Sequence, residues 1–154
     1  MRITTWAEYG LIVSVHLARH EGDRPLPARE IAENEGLPPD YVEQILLKLR
    51  RAGLVTSARG AKGGYRLAHA PESVSVRDVL EAAEERTFEV NCESYPIHAE
   101  RCTAKGGCSI RAVWRGLQHR VDSFLDGITL VDLLGDEAAV EERLLEGAAG
   151  PTAS

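Results

Sequence analysis

The chain has 154 residues, of which 44% are hydrophobic, and a net charge of −6, which suits one domain or one domain with a long arm. It has no apolar run of about 18 residues and no signal-peptide core, so we expect a cytoplasmic protein without a membrane span. Residues 1–80 carry 11 basic and 10 acidic side chains (+1), whereas residues 81–154 carry 7 and 14 (−7), so the acidic excess lies in the second half.

The first predicted element is a helix over residues 5–20. Trp6, Tyr9, Val13 and Leu17 recur at helical spacing and form an apolar stripe. Thr5 and Glu8 have the spacing of a capping box, in which the hydroxyl and the carboxylate close the first turn reciprocally.

Two short helices follow, over residues 28–34 and from Pro39 to about residue 51. Gly36 suits the left-handed stop of the first helix, and Pro39 suits the first position of the second. A shared core is expected from Ile31, Val42, Ile45, Leu46 and Leu49. Two helices joined by a glycine-containing turn indicate a helix-turn-helix.

A β-hairpin is predicted next, with strands over residues 54–59 and 65–68 around the glycine-rich tip GAKGG. Ser75 then caps a helix over residues 76–84. The predicted fold is therefore mainly α with a small β-hairpin wing, a winged helix-turn-helix over residues 1–85.

A loop over residues 86–108 leads into a long amphipathic helix over residues 109–125. Its stripe comprises Ile110, Val113, Trp114, Leu117, Val121, Phe124 and Leu125. Such a helix packs either on its own domain or against its twin, and we favour a dimerisation helix because the winged helix already has a core. A short helix at 128–134, capped by Thr129, completes this unit (109–134). Residues 135–154 are predicted to form an acidic helical extension and a disordered tail.

Six basic residues and no acidic ones lie between positions 44 and 71, namely Lys48, Arg50, Arg51, Arg59, Lys62 and Arg66. A local charge of +6 in an acidic protein is typical of a phosphate-binding surface. The predicted base-reading residues at the start of the second helix are Tyr41, Glu43 and Gln44. Lys48, Arg59 and Lys62 are predicted to hold phosphates, and Gly60, with Gly63 and Gly64, to let the wing backbone approach the duplex.

All three cysteines lie in one segment, where nine residues separate Cys92 from Cys102 and five separate Cys102 from Cys108. An odd number of clustered thiols indicates metal binding or redox chemistry. Thiolates select iron–sulfur clusters, zinc or Cu(I), and spacing alone leaves a cluster, zinc and a thiol switch open. His98 and Glu8 are candidate fourth ligands, whereas the protonated Arg111 has no lone pair to give.

These motifs together resemble the IscR/NsrR-type winged-helix transcription regulators. The resemblance rests on MRITTWAEYG, on DYVEQILLKLRRAGLVTSARGAKGGYRLA, on the Ser75 helix, and on the cysteine loop followed by the Trp114 helix and ITLVDLL, and it spans about residues 1–134. It implies a homodimer on a palindromic promoter site whose DNA affinity depends on an iron–sulfur cluster, either 2Fe-2S or 4Fe-4S.

The resemblance also implies a ligand set. The three cysteines carry over as ligands, Arg111 excludes the branch that uses a histidine at that position, and Glu8 stands where another branch places an acidic ligand from the partner subunit. His98 remains the competitor. The alternatives are a thiol- or zinc-based regulator and a winged-helix adaptor that does not bind DNA. No catalytic motif is present, so we do not expect an enzyme.

Overall fold

The computed structural model describes residues 3–20, 22–84, 102 and 108–148. Within these residues the helices are α1 Thr5–Arg19, α2 Ala28–Glu35, α3 Pro39–Arg51, α4 Val76–Glu84, α5 Ser109–Asp126 and α6 Glu137–Ala148. The strands are β1 Val55–Ala58 and β2 Gly64–Leu67, and 3₁₀ turns span Pro71–Ser73 and Leu130–Leu133. The predicted fold class, mainly helical with one hairpin, is confirmed.

The cap of helix α1 lies one residue before the predicted one. Thr4 is the N-cap, with extended backbone (φ −95°, ψ 163°), and its hydroxyl accepts a hydrogen bond from the Ala7 N–H at 3.5 Å. The predicted capping box of Thr5 and Glu8 is therefore wrong, because Thr5 is already helical. Glu8 is exposed, and among the described residues its carboxylate has neither a hydrogen bond nor an ion pair.

The helix-turn-helix forms as predicted. Gly36 ends α2 in the left-handed region (φ 64°, ψ 29°), where a side chain would be strained. Pro39 opens α3 at a position where its missing N–H has no intrahelical partner to lose. The predicted core positions are all fully buried: Ile31, Val42, Ile45, Leu46 and Leu49. Together with Val13 of α1 they form the main core.

The two strands pair antiparallel, with Val55 opposite Leu67. The segment between α1 and α2 extends this sheet, since Leu26 and Tyr65 exchange two backbone hydrogen bonds of 2.8 Å. Leu26 is buried in the main core. The hairpin is thereby attached to the helical core at its β2 edge.

The C-terminal part of the chain returns to the winged helix. Ser75 and Asp78 form the predicted cap of α4, and the Ser75 N–H donates to Asp78 Oδ2 at 2.8 Å. The Leu130 N–H donates to the Val74 carbonyl at 2.9 Å, and its side chain is fully buried. The winged-helix core is therefore completed by a residue from beyond α5.

The predicted short helix at 128–134 is a 3₁₀ turn with a capping box at its start. The Thr129 N–H and hydroxyl donate to Asp132 Oδ2 at 2.8 and 2.9 Å. These bonds, chiefly that from the Thr129 N–H, lower the pKa of Asp132, and the nearby Arg143 guanidinium acts in the same direction. Helix α6 is a separate element, and it includes Gly147 and Ala148, which the sequence had placed in a disordered tail.

Helix α5 carries no buried residue. Its apolar stripe stays open, with Ile110, Val113, Trp114, Leu117 and Phe124 between 41% and 65% exposed. Its C-terminal half is joined to α4 by Arg77, which donates to Asp126 at 2.8 Å and lies 3.9 Å from Asp122. In the described residues, no helix is long and apolar enough to cross a membrane.

Candidate DNA-binding surface and metal site

Five of the six predicted cations are exposed: Arg50, Arg51, Arg59, Lys62 and Arg66. They follow the C-terminal half of α3 into the hairpin. Arg50 also donates to the Ser57 hydroxyl at 3.2 Å, which ties α3 to β1. The helix and the hairpin thus present one cationic surface, as a winged helix needs for phosphate contacts.

The glycines of the hairpin tip have different roles. A Cβ on Gly63 would lie 2.3 Å from the Ala58 carbonyl oxygen, and one on Gly64 would lie 2.4 Å from the backbone of Leu26. Both are therefore required by the hairpin itself. Gly60 has φ 108° and nothing within 4 Å of its potential Cβ, so it alone has open space in which a duplex could approach its backbone.

The N-terminal end of α3 exposes the three predicted base-reading residues, Tyr41, Glu43 and Gln44. The Tyr41 ring is 41% exposed and packs against two rings of α1, with centroids 5.1 Å from Trp6 and 5.7 Å from Tyr9. Its ring is thus fixed against α1, while Glu43 and Gln44 are exposed beside it.

Lys48 is the exception among the cations. It is half-buried, its Nζ donates to the Ala83 carbonyl at 2.7 Å, and the same atom lies 4.6 Å from the centre of the Trp6 ring. A phosphate contact through Lys48 would require the amine to leave both partners. The sequence placed this residue on α3 but carried no sign of its contact with α4.

The cysteine segment is described only in part. Cys92 and His98 lie outside the described residues, so their roles as ligands stay predictions. Cys102 and Cys108 are half-buried and are not joined in a disulfide. Cys108 is the N-cap residue of α5, and its side chain does not cap the helix. The positive end of the helix dipole favours an anionic ligand at this position.

Arg111 holds the backbone of Cys102. Its Nη2 donates to the Cys102 carbonyl at 2.8 Å, while the residue itself lies one helical turn after Cys108. Its Nε–H is buried and has no acceptor in the described part of the chain. From the sequence, this position is judged only as a possible ligand. That a cation three residues after Cys108 could bind the backbone of Cys102 is not predicted.

This donor set fits an iron–sulfur cluster. Thiolates are the usual cluster ligands, and cluster sulfurs accept N–H hydrogen bonds that tune the cluster. A buried N–H without an acceptor is costly, and a sulfur acceptor would satisfy it. Cys102, Cys108 and Arg111 supply two thiols and one such donor at the start of α5.

Taken together, a helix-turn-helix, a cationic hairpin and an amphipathic helix with an exposed apolar stripe define a winged-helix DNA-binding transcription regulator. The family model of Rrf2, described as an iron-dependent transcriptional regulator, matches residues 3–136. The chain belongs to this family. It is similar to the HTH-type transcriptional regulator IscR of Aliivibrio salmonicida (37% identity over 88% of this chain and 79% of the relative) and to that of Yersinia pseudotuberculosis (33% over 92% and 84%).

Solved structures of transcription regulators have the same fold as this chain. CymR, the global cysteine regulator of B. subtilis, superposes with a TM-score of 0.70 at 31% identity, covering 87% of this chain and 96% of CymR. IscR of T. potens superposes with a TM-score of 0.67 at 30% identity, covering 99% and 94%. These relatives are transcription regulators rather than enzymes, and the expectation of a non-enzymatic regulator is confirmed.

Proposed function

We propose that this protein is a dimeric regulator, most simply a repressor, whose affinity for a palindromic promoter site is controlled by an iron–sulfur cluster. Cys92, Cys102 and Cys108 would hold the cluster, with Glu8 of the partner subunit as fourth ligand. When bound, such a cluster supplies an inorganic centre that responds to oxidation, nitric oxide or the supply of iron and sulfur. Binding chromosomal DNA agrees with a cytoplasmic location.

One observation carries the proposal: Arg111 holds the Cys102 backbone while its buried Nε–H has no acceptor in the described residues. The arrangement puts an N–H donor close to the Cys102 backbone and one turn after Cys108, at a helix N-terminus where an anionic cluster is electrostatically favoured. Similarity to proteins named IscR supports the same reading.

The first test is chemical analysis of protein purified without oxygen. Iron and acid-labile sulfide in equal amounts, with visible absorption that is lost in the triple Cys→Ser variant, would support the proposal. Promoter retardation should then differ between the cluster-loaded and cluster-free forms. Zinc or free thiols in place of iron and sulfide would overturn it.

A ligand role for Glu8 is supported because Glu8 does not take part in capping α1, where Thr4 is the cap. Its carboxylate is exposed and has no partner within the described residues. Glu8→Gln should alter the cluster spectrum and shorten its lifetime. Glu137→Gln is the matched control, since Glu137 is also an exposed acid in the first turn of a helix.

Dimerisation is proposed through the apolar stripe of α5. Val113 is 65% exposed and the Trp114 beside it 42%, and an exposed apolar stripe of this length indicates an interaction surface. Val113→Asp should yield monomers in sedimentation experiments. Ala112→Asp, an exposed position on the opposite face of the same helix, should leave the dimer intact.

A thiol-based switch is the second candidate. The specific observation is the superposition on the oxidized form of CymR of S. aureus, with a TM-score of 0.66 at 33% identity. Cys102 and Cys108 are both half-buried and are not joined to each other in a disulfide. Loss of DNA binding on oxidation in iron-free protein, reversed by a thiol reductant, would favour this candidate over a cluster.

A further inference from the structure

Three helices of the winged helix meet at Ala83, in the last turn of α4. The Ala83 carbonyl accepts the hydrogen bond from Lys48 of α3, and the same ammonium lies over the Trp6 ring of α1. Gly10 of α1 packs against the Ala83 side chain, with only 3.0 Å between a potential Cβ and the Ala83 Cβ. The last carbonyls of a helix lack intrahelical partners and attract cations, which explains why the ammonium is held there.

A second contact joins α1 to the reading end of α3. The Tyr41 ring lies between Trp6 and Tyr9, in a tilted contact with the first and an edge-on contact with the second. Such offset and edge-on arrangements are the favoured geometries for aromatic pairs. Movement of this part of α1 would therefore shift Tyr41 and Lys48 together, and with them both ends of α3.

Both anchor points lie near proposed cluster ligands in the sequence. Glu8 lies between Trp6 and Tyr9 on α1, and Ala83 lies one residue before the end of α4, from which the chain continues towards Cys92. A displacement of α1 at Glu8 would therefore reach α3 through the contact between Trp6 and Lys48. From the reading helix, the Lys48 side chain contacts both α1 and α4.

We propose that Lys48 is a positioning residue that couples the state of the metal site to the placement of the DNA-reading helix, and not a phosphate contact. This inference rests on the proposed function. A coupling residue links the metal site to the DNA-reading helix, so its loss changes the ratio between the DNA affinities of the cluster-loaded and cluster-free forms. A phosphate contact instead changes the DNA affinity of both forms and the salt dependence of binding.

The test compares Lys48→Met with Lys62→Met, which removes an exposed cation of the hairpin tip. DNA affinity is measured over a salt series for the cluster-loaded and the cluster-free dimer. For Lys48→Met we expect the wild-type salt slope and a loaded-to-free affinity ratio several-fold closer to one. For Lys62→Met we expect a slope smaller by ~1 and an unchanged ratio. Lys48→Arg, which can still donate to Ala83, should restore much of the ratio.

Two results would overturn the inference. A salt slope reduced by ~1 in Lys48→Met would make the residue a phosphate contact. An unchanged slope with an unchanged ratio would make it a local packing residue only. Circular dichroism of each variant checks that the helices are retained, and Lys48→Arg serves as the test if Lys48→Met does not fold.

A separate measurement distinguishes failure of the inference from failure of the proposed function. If wild-type protein shows equal DNA affinity with and without cluster, cluster control is wrong. In that case, hydrogen exchange in the metal-free protein still tests whether Lys48 links α3 to α4. DNA binding should change the protection of amides in the last turn of α4 in wild type but not in Lys48→Met. No change in wild type would exclude the coupling.

Discussion

The potential Cβ of Gly10 lies 3.0 Å from the Cβ of Ala83, so α1 and α4 approach each other more closely than is usual where both residues carry side chains. This contact is a point of close approach between α1 and α4. It also places the Ala83 carbonyl within reach of Lys48. Glycine at position 10 is thus needed for packing rather than for backbone freedom, because the residue is helical.

Gly10→Ala should therefore lower the stability of the fold. A glycine-to-alanine change within a helix normally gains roughly 0.5–1 kcal/mol, but overpacking costs about 1–3 kcal/mol. We expect a net loss on the order of 1 kcal/mol. Gly116→Ala in α5 is the control, because nothing lies within 4 Å of its potential Cβ and only the gain remains. Thermal unfolding of both variants measures the difference, and an unchanged midpoint for Gly10→Ala would show that the helices can separate at little cost.

The start of α1 provides a second prediction. Thr4 caps the helix through the Ala7 N–H, and the 3.5 Å distance marks a weak bond. Thr4→Ala should cost about 0.5–1 kcal/mol, at the low end for caps. Thr5→Ala should cost less, since Thr5 lies inside the helix. Chemical denaturation distinguishes the two, and a larger loss for Thr5→Ala would restore the cap expected from the sequence.

The cap at α1 shows what the sequence could and could not predict. Core positions such as Val13 and Leu49 follow from apolar periodicity, and both are fully buried. Thr4 and Thr5 have the same side chain, so only the backbone angles decide which one caps. The sequence likewise placed Lys48 on α3 but not its contact with Ala83, because a long flexible side chain can reach DNA or a neighbouring helix. Tertiary contacts of this kind leave no periodic signal.

Asp132 should make stability depend on pH. Hydrogen bonds from Thr129 lower its pKa in the folded state. Its contribution is fully present above the pKa of the unfolded chain and is lost as the pH falls through the lower folded-state value. Asp132→Asn should destabilise the fold by about 1 kcal/mol at neutral pH, as for a lost cap, and should flatten the acid limb of the stability curve. Unfolding measured between neutral and acidic pH checks this, and an acid limb identical to wild type would contradict it.

The cationic hairpin should contribute to DNA affinity without reading sequence. Arg59 and Lys62 are exposed on the hairpin, and each phosphate contact contributes ~1 to the salt slope. Arg59→Ala and Lys62→Ala should each weaken binding to specific and random duplexes alike. Arg143→Ala is the control, because this cation lies on α6 and pairs with Asp132 at 2.9 Å. Fluorescence anisotropy titrations over a salt series measure the slopes. If the hairpin variants kept the wild-type slope, the hairpin would not contact phosphates.

In the proposed cluster site, Arg111 should tune the cluster without being a ligand. Its Nη2 holds the Cys102 carbonyl, and its buried Nε–H has no acceptor in the described residues. Hydrogen bonds to cluster sulfurs stabilise added electron density and raise the reduction potential. Arg111→Met should therefore lower the midpoint potential of reconstituted protein and speed cluster loss, while iron and sulfide content at reconstitution stays that of wild type. Arg111→Lys keeps the charge but lacks the Nε donor, so it should recover little of the potential. Arg120→Met, an exposed arginine of the same helix, is the control.

In metal-free protein, Arg111→Met should also expose the segment around Cys102 to faster hydrogen exchange, because the bond to its carbonyl is lost. A wild-type potential together with wild-type exchange would show that Arg111 neither orders this segment nor donates to a cluster.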